Sequence, residues 1–196
     1  MDTANQSLEP IKEAIVSLLK TKNSVTVAID GRCASGKTTL AEQLCAELPC
    51  NLFHMDDFFL RTAQRTEARL RTAGGNIDHE RFLTEVLLPL KAARPFSYAP
   101  YDCRSQSLRP PVKVSPAPLS IVEGVYACHP SLLPYYDLRI MLDIDAKTQA
   151  ARILARNGAK AAEVFQSRWI PLEEIYFETV ATPAIFDLYF KATPLR

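Results

Sequence analysis

Residues Val25–Leu40, VTVAIDGRCASGKTTL, constrain the chain more than any other stretch. Gly31, four intervening residues and then Gly36-Lys37-Thr38 form the phosphate-binding pattern G-x-x-x-x-G-K-[ST]. The β-branched run Val25-Thr26-Val27-Ala28-Ile29 ahead of it reads as a buried strand. Leu40, Ala41, Leu44 and Leu48 behind it recur at helical spacing. The pattern therefore falls in a strand-to-helix turn, where its mechanism requires it. Glycines let backbone N–H groups turn inward as an anion cradle, and the helix N-terminus adds partial positive charge. The expected phosphate ligands are Gly31, Ala34, Ser35, Gly36, Lys37, Thr38 and Thr39. Lys37 is expected on the β- and γ-phosphates and the Thr38 hydroxyl on Mg²⁺.

Composition sets outer limits. The 196 residues, 47% apolar, suffice for one domain with a sizeable core, taken as a single unit over 1–196. Lys+Arg 23 against Asp+Glu 22 leaves no global field to draw nucleic acid or a membrane surface. Cys33, Cys45, Cys50, Cys103 and Cys128 show no C-x-x-C spacing, and reduced thiols in a cytosol are the expected state. Cys33 lies inside the phosphate loop, where oxidation would block nucleotide entry. No basic-then-apolar leader and no membrane-length apolar run is present, so a cytoplasmic location is expected.

Leu8–Lys20 has the spacing of an amphipathic helix. Asn51–Met55 reads as a short strand ending in Asp56-Asp57-Phe58-Phe59, and the arginine-rich segment Arg61–Arg71 as a mobile surface stretch. Asp78 opens a helix to about Ala93, which Pro89 should disturb. Phe96–Asp102 and Val112–Ser115 alternate like strands, and the prolines at 110, 111, 116 and 118 suit edges and turns. Leu119–Val122 and Leu138–Ile144 are core strands ending at Glu123 and Asp145, and Asp145 is placed to cap a helix over Ala146–Arg156. Lys160–Ile170 and Pro171–Ala181 read as helices and Asp187–Lys191 as a last strand. Strands alternating with helices predict an α/β domain, a mostly parallel sheet with helices on both faces and ligands beyond the strands' carboxyl ends. That edge collects the phosphate loop, Asp56-Asp57, Glu123 and Asp143/Asp145. His54, His79 and His129 have no metal-ligand spacing and read as structural.

AIDGRCASGKTT, HMDDFF, NIDHERF, YAPYDCR and IVEGVY, in this order, resemble the uridine kinase-like members of the phosphoribulokinase/uridine kinase group of P-loop kinases. The resemblance covers roughly Val25 to Lys191. It implies a three-layer kinase-type fold with a short helical lid, about 152–170, and an acceptor-site insertion, about 61–115. It implies ATP and Mg²⁺ as cofactors and phosphorylation of a hydroxyl on a small metabolite, nucleoside-like above all.

By the same resemblance, Asp56 accepts the proton of the attacking hydroxyl. Asp78 grips the acceptor's sugar hydroxyls, though an aspartate before a helix is also a favoured N-cap. Tyr101 is an aromatic of the acceptor pocket. Glu123 polarises a Mg²⁺-bound water, with Asp143 as rival. Arg152, with Arg156 and Arg168, supplies a lid poorer in arginine than the group's usual one; Arg152 is the candidate for stabilising the transferring phosphate. Gln106 stands where a base-reading histidine is usual, and Arg104 adds a cation that would suit a carboxylate- or phosphate-bearing acceptor. A homo-oligomer is compatible with all of this. The competing function is a nucleotide-binding regulatory module with little kinase activity; a GTPase switch is disfavoured because no N-K-x-D motif is present.

Overall fold

The computed structural model describes residues 3–192. In chain order its elements are α1 (Thr3–Leu19), β1 (Val25–Asp30), α2 (Lys37–Glu47), β2 (Asn51–His54), α3 (Glu67–Arg71), α4 (His79–Phe82), α5 (Leu88–Lys91), β3 (Phe96–Tyr98), β4 (Tyr101–Asp102), β5 (Ser107–Leu108), β6 (Val112–Val114), β7 (Leu119–Glu123), β8 (Leu138–Asp143), α6 (Ala146–Asn157), α7 (Ala159–Val164), α8 (Ile170–Thr179) and β9 (Leu188–Lys191). Five strands form one parallel sheet in the order β2-β7-β1-β8-β9. No described helix is long and apolar enough to cross a membrane.

The strands are apolar on both faces, as a doubly covered parallel sheet requires. Along β1, Val25, Val27 and Ile29 pack with Ile11 and Ile15 of α1 and Leu40 and Leu44 of α2. Ala28 faces the other way, into Phe53, Phe58, Phe82, Val122, Met141 and Tyr176. The period-two alternation of a strand thus sorts side chains between two cores even where every one is buried. The register sets Ile29 and His54 beside Glu123, so the carboxyl ends of β1, β2 and β7 finish level.

Several sequence expectations are corrected. The strand expected over Asn51–Met55 ends at His54, and a 3₁₀ turn, Met55–Phe58, carries Asp56 and Asp57. Phe96–Asp102 breaks at Ala99-Pro100: β3 pairs with β6 and β4 with β5, because Pro100 has no N–H to continue a ladder. Arg61–Arg71, expected as a surface stretch without regular structure, contains a 3₁₀ turn, Thr62–Gln64, and α3. Arg69 donates to the Gly75 and Ile77 carbonyls and forms a two-pronged pair with Glu80. A β-carbon on Gly75 would lie 2.0 Å from the Arg69 carbonyl oxygen, so the contact demands glycine. Pro89 disturbs its helix as expected: the π turn Leu83–Leu87 before it absorbs the missing N–H, as Phe165–Trp169 does before Pro171. Cys45 and Cys50 are joined as a disulfide, Cα to Cα 5.4 Å, the chain turning between them from the end of α2 toward the start of β2; Cys33, Cys103 and Cys128 are free. Asp145 caps α6 as expected, accepting from the Thr148 N–H at 2.9 Å, and Gly158 ends the helix at φ 77°.

One buried carboxylate joins the sheet to its surroundings. Asp30, fully buried at the end of β1, accepts from the N–H groups of Gly31 (2.7 Å), Tyr126 (3.1 Å) and Cys128 (2.8 Å) and from the Tyr176 hydroxyl (2.7 Å). Burial raises its carboxyl from 3.8 to about 6, against the pull of those donors. The folded chain therefore binds this proton more tightly than the unfolded chain. The group's contribution is full below the unfolded value and is lost as pH rises from about 4 through about 6. Asp30→Asn turns an acceptor into an NH₂ group facing donors and should cost about 1–3 kcal/mol. Urea denaturation should show that deficit, and it should narrow from pH 4 to pH 7 because the variant lacks the titration.

Candidate active site

The phosphate loop is fixed by close contact beneath and by ion pairs around it. Gly31 has φ 149°, and a β-carbon there would lie 2.1 Å from the Leu142 carbonyl oxygen. Gly36, at φ 102°, begins α2. Arg32 grips Glu174 of α8 with two N–H groups at 2.7 Å and Asp143 of β8 at 2.6 Å. The Cys33 N–H donates to Glu173 at 3.0 Å. Arg152 of α6 donates to the Ala34 carbonyl at 3.2 Å. Neither Arg32 nor the Glu173-Glu174 pair is singled out by the sequence; α8 comes to the loop through long-range packing that carries no local signal. Asp143, the rival to Glu123, is engaged by Arg32 and by the Tyr189 hydroxyl.

Lys37 is buried and donates to the carbonyls of Gly31 (2.8 Å) and Arg32 (3.0 Å), so its ammonium is held over the loop. The Thr38 hydroxyl donates to Glu123 at 3.1 Å. His54 Nδ1 meets the same carboxylate oxygen at 2.6 Å, and that hydrogen bond raises the imidazole above its ordinary value. His54 is thus a neighbour of the candidate metal site rather than a bystander. His79 and His129, far apart in sequence, stack with ring centres 3.8 Å apart. Among the described residues no cluster of three or more His, Cys, Asp or Glu is placed to hold a metal. A Thr hydroxyl beside one carboxylate fits Mg²⁺, which takes few protein oxygens and completes its shell with phosphates and water.

These groups open onto a cavity of about 800 Å³. Of the sequence-predicted residues, Ala34, Gly36, Lys37, Thr38, Thr39, Asp56, Glu123 and Arg152 line it; Gly31 and Ser35 do not. Asp56 and Asp57 part company: Asp56 faces the cavity, while Asp57 pairs with Arg109 at 2.6 Å. Asp56 meets solvent on the cavity side and dense protein elsewhere. That desolvation raises its carboxyl above the ordinary 3.8, with Lys37 pulling the other way. Glu173 also lines the cavity, its carboxyl raised by burial. Arg152 and Arg156, one turn apart on α6, both line it, together with Phe165 and Trp169. Arg168 instead lies over the Trp169 ring at 4.6 Å.

The four expected acceptor residues lie outside this lining. Asp78 is the N-cap of α4, accepting from the Arg81 N–H at 3.2 Å and from Gln64 at 2.8 Å. Tyr101 is buried under the Arg65 guanidinium, 5.9 Å from its ring centre. Arg104 and Gln106 are exposed in the β4–β5 turn; Gln106 has φ 53° and accepts from the Thr62 hydroxyl. In their place the cavity presents Phe59, Asn76, Cys103 and Tyr126.

No protein-family model matches the chain. Uridine kinase-like protein 5 of Arabidopsis thaliana is 26% identical over 156 residues, 74% of this chain and 33% of that protein. The uridine kinase of Ureaplasma parvum is 23% identical over 160 residues, 76% of each chain. The chain thus spans about a third of the plant relative's length and three quarters of the bacterial one's. A structure from Bacillus stearothermophilus, described as a possible uridine kinase, superposes with a TM-score of 0.66 at 23% identity, covering 92% of this chain and 99% of that one. A candidate fructose transport system kinase from Silicibacter sp. TM1040 gives 0.72 at 22%, covering 97% and 99%. The likeness in motifs continues through three quarters of the sequence, and the likeness in fold through nearly all of it: the chain has the P-loop kinase fold and is similar in sequence to the uridine kinase-like proteins.

Proposed function

We propose that the protein is an ATP-dependent kinase that phosphorylates a hydroxyl of a small metabolite. The observation that carries this is the single cavity in which Lys37, the Thr38–Glu123 pair and Asp56 stand together. Bound Mg²⁺·ATP would supply the phosphoryl group and neutralise its charge. Thr38 would hold the metal directly and Glu123 through a water. Lys37 and the loop N–H groups hold the phosphates, and Arg152, fixed to the Ala34 carbonyl, stands beside them. Asp56 takes the acceptor's hydroxyl proton as its oxygen attacks, and a raised carboxyl suits a base near neutral pH. A nucleoside-like acceptor is favoured by the names of the relatives, uridine kinase and uridine kinase-like protein. A non-nucleoside alcohol is favoured by Gln106, which replaces the usual histidine and lies outside the cavity.

Two substitutions test the reading. Lys37→Ala removes a charge-assisted phosphate contact and should cost about 2–3 kcal/mol in nucleotide binding or turnover with the fold intact. Unchanged affinity by calorimetry together with unchanged turnover would refute the phosphate site. Asp56→Asn should lower turnover about 10²–10⁴-fold while Mg²⁺·ATP affinity changes little. The wild-type kcat/KM should fall with decreasing pH through a value above the ordinary aspartate range, since the carboxylate is the active form. A kcat/KM that stays flat down through the carboxylate range would contradict the role given to Asp56.

A further inference from the structure

Tyr126 lies in the turn after β7 with φ 74°, the left-handed region that a bulky side chain adopts only under constraint. The constraint is visible. Its N–H donates to the buried Asp30 carboxylate, and its ring stands edge-on to Tyr176 with centres 4.8 Å apart. The outcome is a buried ring lining the cavity. Its hydroxyl is within hydrogen-bonding reach of the Asn76 side chain, with the Glu173 carboxylate close enough to act on it as well. Asn76 is only 7% exposed and also lines the cavity. Its carbonyl accepts from the Leu60 N–H at 3.3 Å, which sets it beside the turn carrying Asp56. A carboxamide has two donors and an acceptor, and one tyrosine hydroxyl cannot satisfy them all.

The charge of this end is equally defined. Phe59, Val125 and Cys103 complete it, and none carries a formal charge as an ordinary thiol or hydrocarbon. The lining cations stand on the phosphate loop: Lys37 over the Gly31 carbonyl, Arg152 on that of Ala34, and Arg156 against the Cys33 sulfur at 3.4 Å. Arg65 lies against the Cys103 thiol but outside the lining, its Nε donating to the Leu60 carbonyl and its guanidinium over the Tyr101 ring, so an anionic acceptor would meet Asp56 with no cation in the lining at its own end. Arg104, which would have supplied one, is exposed in a turn outside it.

We propose that Asn76 and Tyr126 are the residues that read the acceptor, holding a second hydroxyl of an uncharged polyol beside the hydroxyl presented to Asp56. This rests on the kinase reading and narrows its substrate class. Neutral hydrogen-bonding groups in a desolvated site reject molecules that leave them unpaired.

The test measures ADP formation by the full chain with Mg²⁺·ATP and three pairs: ribose and ribose 5-phosphate, glycerol and glycerol 3-phosphate, pantothenol and pantothenate, with uridine added. An uncharged member should exceed its anionic partner by about tenfold or more in kcat/KM. Tyr126→Phe and Asn76→Ala should each raise the KM of that acceptor about tenfold, with smaller changes in kcat and in the KM of ATP. A merely structural link between the two would instead lower thermal stability and leave the acceptor KM alone. Preference for the anionic members, no saturable turnover with any uncharged probe, or an unchanged KM in the folded variants would overturn the inference. Turnover with anionic acceptors would leave the kinase reading standing, whereas failure of the wild-type chain to bind Mg²⁺·ATP would remove both.

Discussion

The architecture turns on the carboxylate of Asp30. It sits where β1 gives way to the phosphate loop, and its four donors come from that loop, from the turn after β7 and from α8. Buried charge is costly, and a carboxylate persists inside a fold only when its lone pairs are met. Here each oxygen accepts twice. The loop's first N–H, the Tyr126 backbone and the Tyr176 hydroxyl are thereby brought to a common point. The left-handed Tyr126 and the close approach of Gly31 to Leu142 are strained features that this point holds in place.

A second layer of ion pairs does for the loop's outer side what Asp30 does for its root. Arg32 bridges β8 and α8 through Asp143 and Glu174, and Glu173 accepts from Cys33. Bidentate guanidinium–carboxylate pairs fix orientation as well as position. A loop held this way offers its N–H groups to an anion with little further ordering, and preorganised donors are what phosphoryl transfer needs most. Glu173 adds an opposing feature: a carboxylate inside the phosphate end of the cavity, its charge disfavoured by burial and offset by Lys37.

Much of this was legible in the sequence, and what was not has a common cause. The strand–loop–helix around Gly31–Thr38 is written locally: β-branched residues, then glycines, then helical spacing. The cap at Asp145 and the stop at Gly158 are local too. So are the strand ends that bring Asp56 and Glu123 to one cavity. Asp30 was visible only as the residue before the motif, because its partners lie 96, 98 and 146 positions away. Arg69 looked like part of a loose basic run because its anchors, the Gly75 and Ile77 carbonyls and Glu80, give no periodic signal. Asp78 and Tyr101 were placed by resemblance in an acceptor pocket. Asp78 caps a helix, a role compatible with binding, and the Tyr101 ring lies under the Arg65 guanidinium, while Asn76, two residues before Asp78, faces the cavity.

In the proposed reading, the nucleotide end and the acceptor end of the cavity rest on different parts of the chain. The phosphate end is specified by backbone geometry around glycines and by charges on β1, α2, α6 and α8, so it tolerates little substitution. The proposed acceptor end draws Phe59, Asn76 and Cys103 from the segment between β2 and β7, whose two short antiparallel ladders stand apart from the central sheet, and Val125 and Tyr126 from the turn after β7. Asp56 is fixed by the core contacts of Met55 and Phe58 on either side of it, so a side chain of that segment can change without moving it. In the proposed reading the phosphate side is anchored in the sheet, and the acceptor side is shared between the excursion from it and the turn that Asp30 ties to it.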